Sequence, residues 1–220
     1  MATSETILQE VLEAYNFGAP VVEIERYSCG HINDTFCIHV QSQNGPCNYI
    51  LQRISTAAFK NPDQLMSNVL GVTEYLGKKI LETGGDRTRE ALEVIRPRNG
   101  NAYYTDSTGG AWRVYIFIKD IVCYQNAETA ELFAAAGRAF GRFQRMLDGY
   151  PAETLYETIP NFHDTEDRLE KLKTAVSEDI MGRAKECEAE IAFALAHQAD
   201  CSVALQALRD GILPLRVTHE

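Results

Sequence analysis

Apolar positions recur at two different spacings along the chain, and the change of spacing separates a strand-rich part from a helical part. Spacings of three and four residues predict a first helix over 5–16, with Gly18 just beyond its end. Three short apolar runs then predict strands, with the Asn44-Gly45 pair at the second hairpin turn. The predicted strands cover 21–28, 34–41 and 47–54.

A second amphipathic helix follows these strands. Asn61 and Pro62 have the residue types of a helix cap and a first helical position. The apolar stripe of this helix consists of Leu65, Val69, Val72 and Leu76. Three more strands are predicted after it, over 92–96, 101–105 and 111–118.

From Lys119 onward the pattern is almost entirely helical. Helices are predicted over 127–148, after Asp164 as a cap, over 183–199 and over 201–210, with a short strand beginning at Leu213. The sequence therefore predicts an α+β protein with an antiparallel sheet lobe carrying one main helix over 1–118 and a helical portion over 119–220. Ligands often bind between two such lobes.

Composition narrows the function classes. The chain has 220 residues, of which 45% are hydrophobic and 24% charged, with a net charge of −10. This charge argues against nucleic acid or an anionic membrane as a partner. The six cysteines contain no C-x-x-C pair, which argues against a zinc site and favours reduced thiols. No signal peptide or membrane span is predicted, so a cytoplasmic location is expected.

The stretch Tyr27–Ile54 carries the candidate chemistry. A loop of small polar residues from Gly30 to Thr35 lies between two predicted strands, and Arg53 ends the third. Such a loop allows backbone N–H groups to approach phosphate oxygens, and a cation nearby offsets their charge. The loop holds one glycine and matches neither G-x-G-x-x-G nor a Walker A motif. An ordinary β-hairpin with a surface arginine explains the same residues.

Four segments taken together resemble a known family. They are GHINDTF (30–36), YILQRIS (49–55) leading into FKNPDQLMSNVLGVTEYL (59–76), TIPNFHDTEDRL (158–169) and LPLRVTHE (213–220). Over essentially the whole chain they resemble the aminoglycoside-phosphotransferase superfamily, which has a protein-kinase-like fold. Within it the sequence is most similar to the N-acetylhexosamine kinases, which transfer phosphate from ATP to the anomeric hydroxyl of GlcNAc or GalNAc.

The resemblance implies a nucleotide site in the first lobe. Gly30, Asn33 and Thr35 would belong to the phosphate loop, and Arg53 would stand where protein kinases have a lysine. Asn68 is expected to be the polar contact on the following helix, because Glu74 lies opposite the apolar stripe. The connector would bind the adenine edge through backbone groups of Phe117, Ile118 and Lys119. For the loop residues, hydrogen bonds within a plain hairpin remain the alternative.

The same resemblance implies an acceptor side. His31 at the loop tip, Phe162 and His163 would face the sugar. A solvent-exposed imidazole at position 31 and a loop packed before a helix at 162–163 remain alternative interpretations.

His219 would begin the catalytic loop, and the family's catalytic Asp and magnesium ligands would lie beyond residue 220. We therefore expect a truncated chain that uses ATP and Mg²⁺ only in a longer form, with no metal ligand among these residues.

Two other function classes remain open. A kinase with a different small acceptor, such as an aminoglycoside, choline or homoserine, would have the same nucleotide lobe. A non-catalytic, pseudokinase-like binding module would also retain it. A further possibility is a mis-called gene, whose product would expose helix faces that include Phe193 and Leu195 and would associate through them.

Overall fold

The computed structural model describes residues 5–27, 32–43, 45–124 and 126–218. They form two compact units, one containing the described residues up to Thr158 together with 217–218, the other spanning Ile159–Arg216. The strands are β1 (Val21–Tyr27), β2 (Asp34–Ser42), β3 (Gly45–Arg53), β4 (Val94–Ile95), β5 (Tyr104–Thr105) and β6 (Ala111–Ile116). The helices are α1 (Glu5–Ala14), α2 (Pro62–Glu82), α3 (Arg87–Glu90), α4 (Ala130–Met146), α5 (Thr165–Glu178), α6 (Glu188–Ala196) and α7 (Val203–Arg209).

The strands of the first unit form one antiparallel sheet. Their order is β1-β2-β3-β6-β4, and β5 pairs with β6. This sheet with its helices confirms the predicted α+β class. Three predicted strands are shorter than expected, since β4 and β5 each contain two residues, and β6 ends at Ile116 instead of 118.

One face of the sheet forms the largest apolar core with α1. Phe36 of β2, Leu51 of β3 and Trp112 of β6 pack against Val11 and Tyr15 of the helix. The Tyr15 hydroxyl donates to the Trp112 carbonyl at 2.8 Å, which satisfies a polar group inside this core. Burial raises the pKa of Tyr15 well above its ordinary value, so the phenol stays protonated.

Helix α2 begins as the sequence predicts. The Gln64 backbone N–H donates to Asn61 Oδ1 at 3.2 Å, and Pro62 takes the first turn. The N-terminal half of α2 packs beside the sheet, where Leu65 and Met66 cluster with Ile54 and Ala111. Its C-terminal half belongs to a third cluster, which contains Leu76, Ile80, Ala91, Leu147 and Val217.

The predicted strand beginning at Leu213 is wrong. Residues 214–218 carry neither helix nor strand, and no ladder with the described sheet includes them. A strand requires a partner for its backbone groups, whereas Val217 is buried beside Leu76 and Ile80 of α2. Of its alternating apolar residues only Val217 joins the core, whereas Leu213 and Leu215 stay exposed.

The unit Ile159–Arg216 is helical and exposes much apolar surface. Asp164 caps α5 through the Asp167 N–H at 2.9 Å, as predicted. Arg209 of α7 pairs with Glu166 of α5 at 2.8 Å. The side chain of Phe193 is 68% exposed and that of Leu195 is 36% exposed, which confirms the predicted exposure of these helix faces.

In the described residues, no single helix has both the length and the hydrophobicity needed to cross a membrane. The segments 184–196 and 198–209 meet those criteria only as a pair bent by 56°.

Candidate functional site

One end of the sheet gathers the candidate residues. There β2 begins, β3 ends and the β5–β6 hairpin turns. The loop that precedes β2 includes residues 28–31, so the predicted phosphate-loop Gly30 and acceptor-facing His31 lie outside the described residues. His219, the predicted start of the catalytic loop, also lies outside them.

An open cavity of about 730 Å³ lies at this end of the sheet. Its wall includes Asn33, Arg53, Ser55, Thr108 and Gly110. The sequence placed Asn33 and Arg53 in one site, and the fold brings both to this cavity. In the described part of the chain, Arg53 has no carboxylate partner, and its guanidinium carbon lies 5.9 Å from the centre of the Trp112 ring. The cavity wall therefore combines the Arg53 cation with amide and hydroxyl groups and with Asp34, whose carboxylate is paired with Arg26. The charge of Arg53 is thus available to an anion.

Asp106 fixes the turn that forms one side of the cavity. Its carboxylate accepts hydrogen bonds from the Thr108 N–H and hydroxyl, the Gly110 N–H and the Trp112 indole N–H, the last at 2.7 Å. Burial alone would raise the pKa of Asp106, but these hydrogen bonds outweigh burial and lower it to about 2. Asp106 is thus ionised at neutral pH and serves to hold the turn.

Position 110 has no room for a side chain, so a glycine is required there. A Cβ atom at this position would lie 2.5 Å from Asp106 Oδ2 and 2.9 Å from Arg53 Nε. The absent side chain lets the carboxylate and the guanidinium approach the same short piece of backbone.

Arg53 and its neighbour Gln52 project from opposite faces of the sheet, because side chains alternate along a strand. Arg53 is paired with Trp112, whereas Gln52 is paired with Arg113. Ala111, which packs against α2, alternates with Trp112 and therefore shares the face of Gln52 and Arg113. Arg53 accordingly lies on the face that carries α1.

A polar row crosses the sheet on the α2 face. Gln52 Nε2 donates to Thr35 Oγ1 at 3.0 Å, and Gln52 Oε1 accepts from Arg113 Nε at 3.1 Å and from Nη2 at 2.8 Å. Burial lowers the pKa of Arg113, and its guanidinium lies 6.0 Å from the Tyr115 ring. Among the described residues the charged group has hydrogen bonds to a neutral amide and no ion pair.

Two predicted loop residues make contacts within the fold. Asn33 Oδ1 accepts from the Ser55 N–H at 2.9 Å and ties the start of β2 to the end of β3. Thr35 is 9% exposed and has its hydroxyl in the polar row. The neighbouring Asp34 pairs with Arg26 of β1 at 2.6 Å and so links the two strands.

Asn68 and Arg53 are not hydrogen-bonded to each other, although both are described. Asn68 holds the backbone of Tyr156 instead, and Glu74 on the opposite side of α2 pairs with Arg96 at 3.5 Å. The phosphate-site role of Asn68 stays a prediction.

The predicted connector follows β6. The Phe117 N–H donates to the Asn48 carbonyl at 3.1 Å, and Arg89 Nη1 donates to the Lys119 carbonyl at 2.9 Å. Ile118 lies between these two anchored residues. The Phe117 N–H and the Lys119 carbonyl are thus already hydrogen-bonded within the fold. The predicted contact with an adenine edge would use the other backbone groups of residues 117–119.

Phe162 and His163, predicted to face an acceptor, belong to the other unit. Their rings meet edge to face with centroids 4.5 Å apart, and the Arg168 guanidinium lies 5.0 Å from the Phe162 ring. The pair forms a local aromatic cluster before α5.

Sequence reasoning missed Gln52, Arg113 and Asp106. The available signal was Arg113, a charged residue inside the apolar run of residues 112–118. In the described residues, no group of three His, Cys, Asp or Glu side chains is placed to hold a metal ion.

No family model matches the sequence. Among solved structures, the spectinomycin phosphotransferase APH(9)-Ia in complex with ADP and spectinomycin is similar, with a TM-score of 0.42 and 10% sequence identity. The similarity covers 87% of this chain and 56% of that chain, so the present chain spans little more than half of its length.

Proposed function

We propose that residues 1–118 form the nucleotide-binding lobe of an ATP-dependent phosphotransferase that acts on a hydroxyl of a small molecule. Two arginines carry the proposal. Arg53 and Arg113 lie on adjacent strands at the same end of the sheet, and in the described part of the chain neither forms an ion pair. In a protein with a net charge of −10, two arginines that form no ion pair favour an anionic ligand.

The order of elements supports the same function. Three antiparallel strands, a long helix and three further strands precede the connector, as expected from the four segments that resemble the phosphotransferases. The bound ATP would supply the phosphoryl group. The residues of this chain would orient it, since Arg53 or Arg113 would offset charge on the phosphates and Asp106 would hold the adjoining turn.

The acceptor that the sequence resemblance favours is an N-acetylhexosamine, GlcNAc or GalNAc, phosphorylated at its anomeric hydroxyl. The described residues do not supply a magnesium site, and no step is assigned to a metal. Phe162 and His163 are proposed for the acceptor side on the resemblance alone.

Nucleotide binding tests the proposal directly. Trp112 is the sole tryptophan of the chain and lies beside Arg53, so its fluorescence reports on this end of the sheet. We expect ADP to change the Trp112 emission in a saturable manner, with calorimetry giving the same affinity. Absence of ADP binding by both methods would contradict the proposed function.

The acceptor is tested by ADP release with Mg-ATP and GlcNAc, GalNAc, glucose, choline or kanamycin, for this chain and for any longer natural form that contains it. Transfer to GlcNAc or GalNAc is the expected result. Transfer to choline or kanamycin alone would identify a different small-molecule kinase. Binding of ADP without transfer to any of these acceptors would favour a non-catalytic binding module.

A further inference from the structure

We infer that Arg113, held by Gln52, is the cation that binds a phosphate group of the nucleotide, and that Arg53 is not. This inference rests on the proposed function and assigns a residue to the same site. The sequence alone favours Arg53, because it occupies the strand position that resembles the lysine of the kinases.

The burial of Arg113 is the first argument. A buried guanidinium is normally compensated by a carboxylate, because removing the charge from water is costly. Arg113 is partly buried, yet in the described chain its acceptor is the neutral Oε1 of Gln52. A neutral acceptor fixes the guanidinium without cancelling its charge, and the charge remains available to an anionic ligand.

The position of Arg113 is the second argument. It projects from the face of the sheet that also packs against α2, and the same polar row contains Thr35, the second residue of β2. Arg53 projects from the face that forms the α1 core, where the Trp112 ring lies beside it. A ligand held on the α2 face beside Thr35 would reach Arg113.

The geometry of the row is the third argument. Gln52 Oε1 accepts hydrogen bonds from both Nε and Nη2 of Arg113, and Gln52 Nε2 donates to Thr35. The plane of the guanidinium is therefore fixed before any ligand binds. A preoriented fork loses less side-chain entropy when it binds two phosphate oxygens. Gln52 is thus a positioning residue, and Arg113 is the contact.

The decisive substitution is Gln52→Glu. It retains the size of the side chain but gives Arg113 a carboxylate partner. If Arg113 binds phosphate, the new internal ion pair competes with the ligand. We expect ADP affinity to fall about 10- to 100-fold, while the melting temperature is unchanged or higher.

Two further variants complete the test. Arg113→Lys retains the charge but removes the two-pronged donor set, and we expect weaker ADP binding by about 10-fold. Gln41→Glu adds the same charge at an exposed position of β2, and Arg138→Met removes an exposed cation from α4. Both controls should bind ADP as the wild type does.

The outcomes separate the two proposals. If the wild-type chain binds ADP and neither Gln52→Glu nor Arg113→Lys weakens it, Arg113 is not the contact and the proposed function stands. Loss of binding in Arg53→Met, with normal binding in both of those variants, would assign the phosphate to Arg53. If the wild-type chain does not bind ADP, the proposed function itself is overturned.

Discussion

Asn68 holds the backbone of Tyr156 from both sides. Its Nδ2 donates to the Tyr156 carbonyl at 2.7 Å, and its Oδ1 accepts from the Tyr156 N–H at 2.9 Å. A single side chain of α2 thus fixes a segment that lies 88 residues further along the chain. Tyr156 lies in neither a helix nor a strand, so the Asn68 carboxamide provides the hydrogen bonds for its backbone N–H and carbonyl.

Substitutions of Asn68 should therefore distinguish the contributions of the two hydrogen bonds. In Asn68→Asp the carboxylate still accepts from the Tyr156 N–H but repels its carbonyl, whereas Asn68→Leu removes both bonds. We expect each variant to lose about 1–3 kcal/mol of unfolding free energy in urea. Amide hydrogen exchange at Tyr156 should accelerate more in Asn68→Leu.

Ser67→Ala is the control for these variants, because position 67 is exposed on the same helix. It should leave both the unfolding free energy and the Tyr156 exchange rate unchanged. Equal exchange at Tyr156 in the wild type and Asn68→Leu would refute the role of Asn68 as a backbone anchor.

The low pKa of Asp106 makes folding stability depend on pH in the acid range. Its pKa is about 2 in the folded chain, below its ordinary value of 3.8, so the stabilisation is complete above about pH 4 and is lost as pH falls through about 2. The difference corresponds to about 2 kcal/mol. Asp106→Asn should remove this contribution and flatten the stability profile between those two pH values.

Asp120→Asn serves as the matched control for Asp106→Asn. Asp120 is exposed and has a φ of 53°, a conformation that Asn adopts readily. The acid dependence of its urea midpoint should equal that of the wild type. An unchanged profile in Asp106→Asn would show that other carboxylates account for the acid sensitivity.

Gly110 and Gly137 should respond in opposite directions to alanine. At Gly110 the methyl group would collide with the fixed Asp106 carboxylate, so we expect a loss of about 1–3 kcal/mol. At Gly137, within α4, the methyl group meets no atom within 4 Å, and helix propensity predicts a gain of up to about 1 kcal/mol. Thermal unfolding of the two variants measures both signs, and a stabilised Gly110→Ala would contradict the packing of the turn.

The exposed apolar surface of the second unit predicts association of the chain. Ile180 is 84% exposed and Phe193 is 68% exposed, and a surface of this kind favours contact between copies. Sedimentation velocity should show a concentration-dependent increase in mass, which the double variant Ile180→Gln with Phe193→Gln reduces. Glu190→Gln is the control, and a monomeric wild type at all concentrations would refute the prediction.

The fold was more accessible from the sequence than the site. Local signals act over a few residues, so the Asn61 cap, the Asp164 cap and the first three strands were predicted close to their observed bounds. The strand at Leu213 failed because pairing depends on a neighbour that no local pattern reveals.

The site depends on which face of a strand each residue occupies. Gln52 and Arg53 are adjacent in sequence and lie on opposite faces of β3. An error of one residue in aligning the motif therefore assigns the role to a side chain on the wrong face. Only the register of β3 with β6 pairs Gln52 with Arg113, and no single segment of the sequence contains both residues.

The turn closed by Asp106 has a consequence for how the chain folds. Thr108, Gly110 and Trp112 donate hydrogen bonds to its carboxylate, so these bonds close a loop that spans only residues 106–112. Short loops lose little chain entropy on closure, and contacts of low sequence separation form quickly. The β5–β6 hairpin can therefore form before the long-range sheet does and offer β6 as a ready edge on which β3 assembles.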